Sequence, residues 1–207
     1  MVSASQTAAH DSTADAPPAT AARPIARLNA RISAYLADSV ILVAFILVFF
    51  VLAGAELLVA NSRSDGDPPD SAFYAFVAIF LGGVLLSWTL VNLALVRWRG
   101  QTAGMYVIGI KVVPSEGQRL TTGQLLARWF GLHPLLFHPL LLPLWALLSL
   151  LLVSLIVSQL VLVVTVALVL LCVVSPAANL ALLITDPERR ALHDRLARTV
   201  VIHLEQP

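Results

Sequence analysis

The longest apolar stretch of the chain, residues 132–184, contains no Asp, Glu, Lys or Arg. A transmembrane helix needs about 20 apolar residues, so these 53 residues are too many for one span and enough for two. A small polar cluster at residues 154–159 divides the stretch. We therefore predict helices at residues 135–157 and 159–184 joined by a tight turn, with a shallower re-entrant pair as the alternative.

Two earlier apolar stretches predict further spans at residues 33–58 and 72–96. The composition agrees with this assignment, because 58% of the residues are apolar and 12% are charged, whereas about a quarter are charged in soluble domains. The sequence therefore predicts an all-α membrane protein, a bundle of four transmembrane helices within a membrane domain at residues 23–204.

The N-terminal segment differs in character from the rest of the chain. Residues 1–22 have no apolar block, which predicts a disordered tail, and they lack the basic start and apolar centre of a signal peptide. The first span is therefore expected to remain in the mature protein. Arg23, Arg27 and Arg31 follow at a spacing of four, which predicts a short helix along the membrane surface.

The polar connections predict a small β-element and amphipathic surface helices on the cytoplasmic side. Residues 106–113 are rich in β-branched side chains between Gly and Pro and predict a strand. Residues 199–204 predict a second strand, and the two are expected to pair. Between them, Thr121 or Thr122 is expected to cap a helix, and the arginines of residues 186–198 are expected to contact anionic headgroups.

Positive charge predicts the orientation. Of the 13 Lys and Arg residues, all except Arg63 lie before the first span, between the second and third, or after the fourth. The positive-inside rule then places both termini and the central connection in the cytoplasm of a multi-pass plasma (inner) membrane protein. Only an even number of spans satisfies this arrangement, which favours four.

The candidate site begins with two charges at the start of the first span. Arg31 and Asp38 are seven residues apart, so they lie on one face of a helix, roughly 10 Å apart along its axis. An acid inside the hydrocarbon boundary costs on the order of 2.5 to 3.5 kcal/mol, so Asp38 must face protein or water. We take Asp38 as the candidate functional centre; the alternative is that it only ties this helix to its neighbours.

Two amides from other spans lie at a similar depth. Asn92 and Asn179, like Asp38, are five to ten residues from a predicted cytoplasmic boundary, which places them roughly 8 to 15 Å inside the inner face. If the three converge, they form a polar site open to the cytoplasm. The alternative is that each amide bonds a neighbouring backbone and holds helices together.

The sequence gives no indication of a metal, a cofactor or a nucleic-acid partner. The acidic loop at residues 61–71 lacks the terminal Glu of a calcium loop, and His133 and His138, five apart, are poorly spaced for zinc. Cys172 is the only cysteine, which excludes an internal disulfide. No nucleophile with an adjacent base and no phosphate-binding loop is recognisable, so we do not expect an enzyme.

Three motifs in order resemble the RDD family of integral membrane proteins. They are Arg31 with Asp38, Gly100-Gln-Thr-Ala-Gly104 with the later Ile-Lys-Val-Val, and the C-terminal Arg-Ala-Leu-His-Asp-Arg-Leu-Ala-Arg-Thr-Val-Val. The resemblance covers residues 24–203 and identifies Arg31, Asp38 and Asp194 as the residues that name the family. Met105 stands where that family commonly has a lysine, so the role of that lysine does not transfer.

The resemblance implies a prokaryotic plasma-membrane protein, for which transport of an ion or small ligand is the usual proposal. In the first hypothesis, Asp38 is the proton- or cation-responsive carboxylate of a transporter, Arg31 is its counter-charge, and a homo-oligomer completes the pathway. In the second, the protein is a non-catalytic scaffold or assembly partner of another membrane protein. Arg31, Asp38 and Asp194 are then folding ties, with Asp194 pairing to Arg31.

Overall fold

The computed structural model describes residues 24–64, 70–116, 119–155 and 159–204. The predicted tail, most of the acidic loop and the turn between the last two predicted spans lie outside these residues. The described helices and strands follow in chain order: α1 (Leu28–Ser62), α2 (Asp70–Val77), a π-helical turn (Ala78–Gly82), α3 (Gly83–Arg99), α4 (Ala103–Ile108), β1 (Ile110–Pro114), α5 (Thr122–Phe130), a 3-10 turn (Pro139–Leu141), α6 (Leu142–Leu155), α7 (Gln159–Thr185), α8 (Leu192–Leu196) and β2 (Thr199–His203).

Within the described residues, three helical segments are long and apolar enough to span a bilayer. They are α1, the continuous segment Asp70–Arg99 and the part of α7 at Leu162–Thr185. The all-α membrane architecture is therefore confirmed. The described part of α6 has 14 residues, or about 21 Å at 1.5 Å per residue, compared with a hydrocarbon core of about 30 Å.

The segment before α6 explains why that helix begins later than predicted. Leu132 has a positive φ of 59°, and a sequence of turns follows it. The His138 side chain then accepts the Leu140 N–H, and Pro139 opens the 3-10 turn. The predicted helical start at residue 135 is therefore wrong, because two His-Pro pairs keep residues 133–138 out of the helix.

A small cap packs at one end of the long helices. It consists of α4, α5, α8 and the antiparallel pair of β1 with β2, in which Val112 lies opposite Val201. The predicted pairing is confirmed, but residues 106–108 belong to α4 and not to the strand. Thr102 caps that helix by accepting the Met105 N–H, and Gly109, at a φ of 75°, ends it.

The first described residues run along the sheet and do not form the predicted surface helix. The Ala26 N–H donates to the Val201 carbonyl at 2.8 Å, and the His203 N–H donates to the Pro24 carbonyl at 2.9 Å. Arg27 is extended and precedes α1. The surface helix predicted from the arginine spacing is therefore wrong for these residues, because the backbone of residues 24–27 hydrogen-bonds to β2.

The apolar core lies between α1, α2–α3 and the segment that enters α6. Leu42, Val84, Trp88 and Leu141 are almost fully buried there, and the Trp88 indole donates to the Leu135 carbonyl at 3.0 Å. This contact fixes the segment before α6 against α3. The α5 helix joins the same core through Trp129.

Candidate functional site

Asp38 joins α1 to the start of α4. Its side chain is almost fully buried, at 2% exposure. One carboxylate oxygen accepts the Thr102 hydroxyl at 2.6 Å, and the other accepts the Gly104 N–H at 2.7 Å. A β-carbon on Gly104 would lie 2.1 Å from the Ala34 carbonyl oxygen. The close approach of α4 to α1, and with it both hydrogen bonds of Asp38, therefore requires glycine at position 104.

Arg31 pairs with Asp194, as the scaffold hypothesis predicted. Arg31 Nη1 lies 2.8 Å from Asp194 Oδ2, and Asp194 is fully buried. Arg128 Nη1 contacts the other carboxylate oxygen and also donates to the Thr199 hydroxyl at 3.2 Å. Arg31 is therefore not the counter-charge of Asp38, because the fold directs its guanidinium to an acid 163 residues away.

Some buried donors around Asp194 have no partner. Two buried guanidiniums, those of Arg31 and Arg128, share this one carboxylate. The charges of Arg189 and Asp186 also act on Arg31, with opposite sign, and Asp186 itself is bound by Arg190 and Arg195. Arg31 Nε and Nη2 are buried without a hydrogen-bond partner among the described residues.

Asn179 of α7 is bonded both to the segment that precedes α6 and to α8. Its Nδ2 donates to the carbonyl oxygens of Ser175, at 2.8 Å, and Leu132, at 3.0 Å. Its Oδ1 accepts the Leu192 N–H at 3.2 Å and lies 2.9 Å from His193 Nδ1. Because an amide oxygen only accepts, His193 carries a proton on Nδ1.

Two buried imidazoles lie beside the arginine pair. The His133 and His193 rings are 4.4 Å apart between centroids, and His193 Nε2 lies 3.6 Å from Asp194 Oδ1. Burial lowers the pKa of both rings well below the usual value, and the charge of Arg128 lowers it further. Both rings are therefore neutral at pH 7, and His133, whose Nδ1 accepts the Leu135 N–H, carries its proton on Nε2.

Asn92 does not join this group. Its Nδ2 donates to the Trp88 carbonyl of its own helix at 2.9 Å, so it is held locally within α3. The predicted convergence of Asp38, Asn92 and Asn179 is therefore wrong for Asn92. Its burial at 2% exposure follows from packing against the core, because Trp88 lies one turn earlier on the same face.

Asp38 and Asn179 line one cavity together with Arg31. This cavity, here called the Arg31 cavity, has a volume of about 350 Å³. Its polar side chains are those of Arg31, Tyr35, Asp38, Arg128, His133, Asn179 and His193, and its apolar walls include Ile32, Leu36, Met105, Leu135, Leu180 and Leu183. It lies between α1 and α7, two of the segments that are long enough to span a membrane.

A model of the RDD family matches residues 25–198. The chain belongs to the RDD family. The matched region contains every residue that lines the Arg31 cavity except Val201, and it contains all three segments of spanning length. No curated protein and no solved structure matches the chain.

The three residues that the motif resemblance identified occupy two separate contacts. Arg31 and Asp194 form one, and Asp38 with the start of α4 forms the other. The sequence alone did not indicate Arg128, His133 or His193. A partial signal was present in α5, where Leu125, Arg128 and Trp129 share one face and are all buried. In the described part of the chain, no three His, Cys, Asp or Glu side chains are grouped to hold a metal.

Proposed function

We propose that this RDD-family protein is a non-enzymatic membrane protein that binds a small solute in the Arg31 cavity as a step in its transport. One observation carries the proposal: Arg31, Asp38 and Asn179, from two helices of spanning length, line the same cavity. Sites of transporters are commonly built from such intramembrane polar residues. The proposal requires no cofactor, and a homo-oligomer would supply the helices that a complete pathway needs.

The charges support a small solute over a cation or a proton as the cargo. Both oxygens of Asp38 already accept hydrogen bonds, so a cation there would displace the Thr102 and Gly104 donors. Two guanidiniums line the same cavity, and both pair with the carboxylate of Asp194. Like charge disfavours a bound cation by an amount that grows as the surroundings become less polar.

A topology accompanies this proposal. We propose four spans in a prokaryotic plasma membrane, with both termini and the cap in the cytoplasm, because Arg63 is the only cation between the first two spans. Helix α6 would be the short span. A helix of about 21 Å is accommodated by local thinning of the bilayer or by flanking residues.

The first experiment tests solute binding. Leu183→Trp introduces an indole into the cavity wall, whereas Leu90→Trp places one at an exposed position of α3. Both variants and the wild type are purified in detergent, and the small molecules that remain bound are compared by mass spectrometry. We expect one class of molecule to be retained by the wild type and Leu90→Trp and lost from Leu183→Trp. Identical contents in all three proteins would contradict the proposal.

The second experiment tests the preference against a cation or proton cargo. Proteoliposomes loaded with a pH-sensitive dye are exposed to a Na⁺ or K⁺ gradient, with wild-type protein, Asp38→Asn and protein-free vesicles compared. We expect no cation-dependent proton flux above that of empty vesicles. A wild-type flux that Asp38→Asn abolishes would reverse this preference and restore Asp38 as the transport carboxylate.

A scaffold role is the second candidate, and the contacts of Asp194 favour it. The Asp194 carboxylate joins α1, α5 and α8, as expected of a folding tie. The cap also has an open groove of about 610 Å³ whose lining includes Arg97, Arg99, Lys111 and Arg119, which suits an acidic partner. Replacing Arg97 and Arg99 by Gln should then release a stoichiometric partner protein without altering the small molecules bound in the Arg31 cavity.

A further inference from the structure

The side chains that line the Arg31 cavity indicate which class of solute it binds. This inference rests on the proposed function. The charged end of this cavity includes the guanidiniums of Arg31 and Arg128, both of which pair with Asp194. Burying a polar donor without a partner costs free energy, so unpartnered donors in this cavity favour a ligand with acceptor atoms. Arg31 Nε and Nη2, for which the described residues offer no hydrogen-bond partner, are donors of the kind that bind phosphate or carboxylate oxygens.

Neutral donors accompany these cations. The His133 ring carries its proton on Nε2, since Nδ1 accepts the Leu135 N–H, and the ring lines the cavity. The Asp38 carboxylate is on the same cavity lining, but its two oxygens are bonded to α4. The polar end is therefore suited to an anionic group with several acceptor oxygens.

The remainder of the cavity is apolar and opens toward the bilayer. Its walls include Ile32, Leu36 and Leu180, which are also exposed on the outer surfaces of α1 and α7, at 41%, 58% and 43%. The opening therefore lies where lipid would surround the two helices. A volume of about 350 Å³ holds an anionic headgroup and the first part of a hydrocarbon chain, while the rest of that chain extends into the bilayer.

We propose that the Arg31 cavity is a specific site for an anionic phospholipid of the leaflet next to the cap. The phosphate lies against Arg31, and an acyl chain leaves between α1 and α7. A lipid meets both requirements at once, because its phosphate accepts from the unpartnered donors of Arg31 and its chain covers the apolar opening. The ligand thus enters sideways from the bilayer.

The test compares lipids with identical chains and different headgroups. Native mass spectrometry measures binding of phosphatidylglycerol and phosphatidylcholine to the purified full-length protein in detergent. We expect the wild type to bind phosphatidylglycerol at least 10-fold more tightly. Leu183→Trp should abolish this preference, since the indole occupies the path of the chain. Arg27→Gln, which removes an exposed charge just before α1, should preserve it.

Two further ligands test whether the bound anion belongs to a phospholipid, to free phosphate or to a fatty acid. Inorganic phosphate at millimolar concentration tests the free anion, and oleate tests a single-chain carboxylate. We expect neither to compete with phosphatidylglycerol. Competition by phosphate, tighter binding of oleate, or equal binding of the two phospholipids would overturn this inference. The inference would also be overturned if Leu183→Trp kept the preference for phosphatidylglycerol and Arg27→Gln lost it. The lipid would then be bound at the surface and not in the cavity.

Failure of the phospholipid proposal can be distinguished from failure of the proposed function. If Leu183→Trp changes the small molecules that copurify but phosphatidylglycerol shows no preference, the cavity binds a solute of another class. If Leu183→Trp changes neither, the cavity itself is not a binding site. Arg31→Lys adds an independent check, because it keeps the charge toward Asp194 and removes Nε and Nη2. We expect this variant to remain folded and to lose most of the lipid preference.

Discussion

At the scale of single residues, we expect the buried Asp194 to have the largest effect on stability. Its carboxylate is the only acid in contact with the guanidiniums of Arg31 and Arg128 among the described residues. We predict that Asp194→Asn destabilises the protein by about 3 to 5 kcal/mol, because two buried cations lose their counter-charge. The loss of folded protein on heating in detergent, monitored by size-exclusion chromatography, measures this destabilisation.

The matched control is Glu188→Gln. Glu188 pairs with Arg190 at 3.2 Å, but its side chain is half exposed, and pairs of this kind contribute about 0 to 1 kcal/mol. We expect its unfolding temperature to stay close to that of the wild type. Equal losses in the two variants would show that Asp194 does not hold the cap in place.

The two neutral imidazoles predict a dependence of stability on pH. The pKa values of His133 and His193 are lowered in the folded protein, whereas an unfolded histidine titrates near 6.5. The unfolded chain therefore binds more protons below about pH 6.5, so stability is complete above that pH and falls as the pH decreases. The loss is expected to reach roughly 1 kcal/mol per histidine for each pH unit.

Unfolding temperatures between pH 8 and pH 5 test this expectation. His193→Asn should flatten the dependence, and His203→Gln, in β2 and outside the Arg31 cavity, is the variant for comparison. A dependence of equal steepness in His193→Asn would mean that other groups cause it.

The residue contacts also show where sequence reasoning succeeds. The pairing of Arg31 with Asp194 was one of two hypotheses and is confirmed. The pairing of Arg31 with Asp38 was wrong, because a shared helix face does not determine where a long arginine side chain points. Arg128, His133 and His193 were not predicted, since their contacts join residues 60 or more apart and leave no local pattern.

At the scale of elements, the contact of α4 with α1 depends on Gly104. A β-carbon there would meet the Ala34 carbonyl oxygen at 2.1 Å and Asp38 Cγ at 2.8 Å. We predict that Gly104→Ala forces α4 away from α1, breaks both hydrogen bonds of Asp38 and lowers stability by more than 2 kcal/mol. The yield and unfolding temperature of the purified variant report this change.

Gly123→Ala serves as the control for the loss of a glycine. Gly123 lies in α5, and a β-carbon there has nothing within 4 Å. Alanine favours a helix over glycine by up to about 1 kcal/mol, so we expect this variant to be as stable as the wild type or slightly more so. A loss like that of Gly104→Ala would contradict the steric explanation.

Elements were predictable where the local signals and the tertiary contacts agree. The Thr121 capping box of α5 and the pairing of β1 with β2 are both confirmed. Residues 106–108 were misassigned as strand because their β-branched side chains outweighed the Thr102 cap in the sequence. In the fold, Asp38 binds the N-terminal turn of α4, and this tertiary contact overrides the local propensity.

At the scale of the whole molecule, the number of spans depends on α6. We predict four spans, so a cysteine at position 61 or 158 should react with an impermeant maleimide from outside intact cells. A cysteine at position 115 should react only after permeabilisation. Each is introduced singly after Cys172, the only natural cysteine, is replaced by Ala.

Position 158 decides between the topologies, although it lies outside the described residues. If α6 and α7 form a re-entrant pair, a cysteine at 158 reacts only from the inside or not at all, while positions 61 and 115 are unaffected. The sequence predicted the long helices α1 and α7 from apolar length alone. It could not predict the short α6, because the two His-Pro pairs lie within an otherwise uniform apolar stretch.

Residues 24–27, which lead into α1, are bonded along β2, a strand that follows α7 in the sequence. The opening helix is therefore translated long before the strand that anchors it. Until β2 has been made, the backbone groups of Pro24 and Ala26 lack the partners that they have in the fold. This part of the molecule can close only after α7 has been translated, and until then its backbone is accessible to proteases.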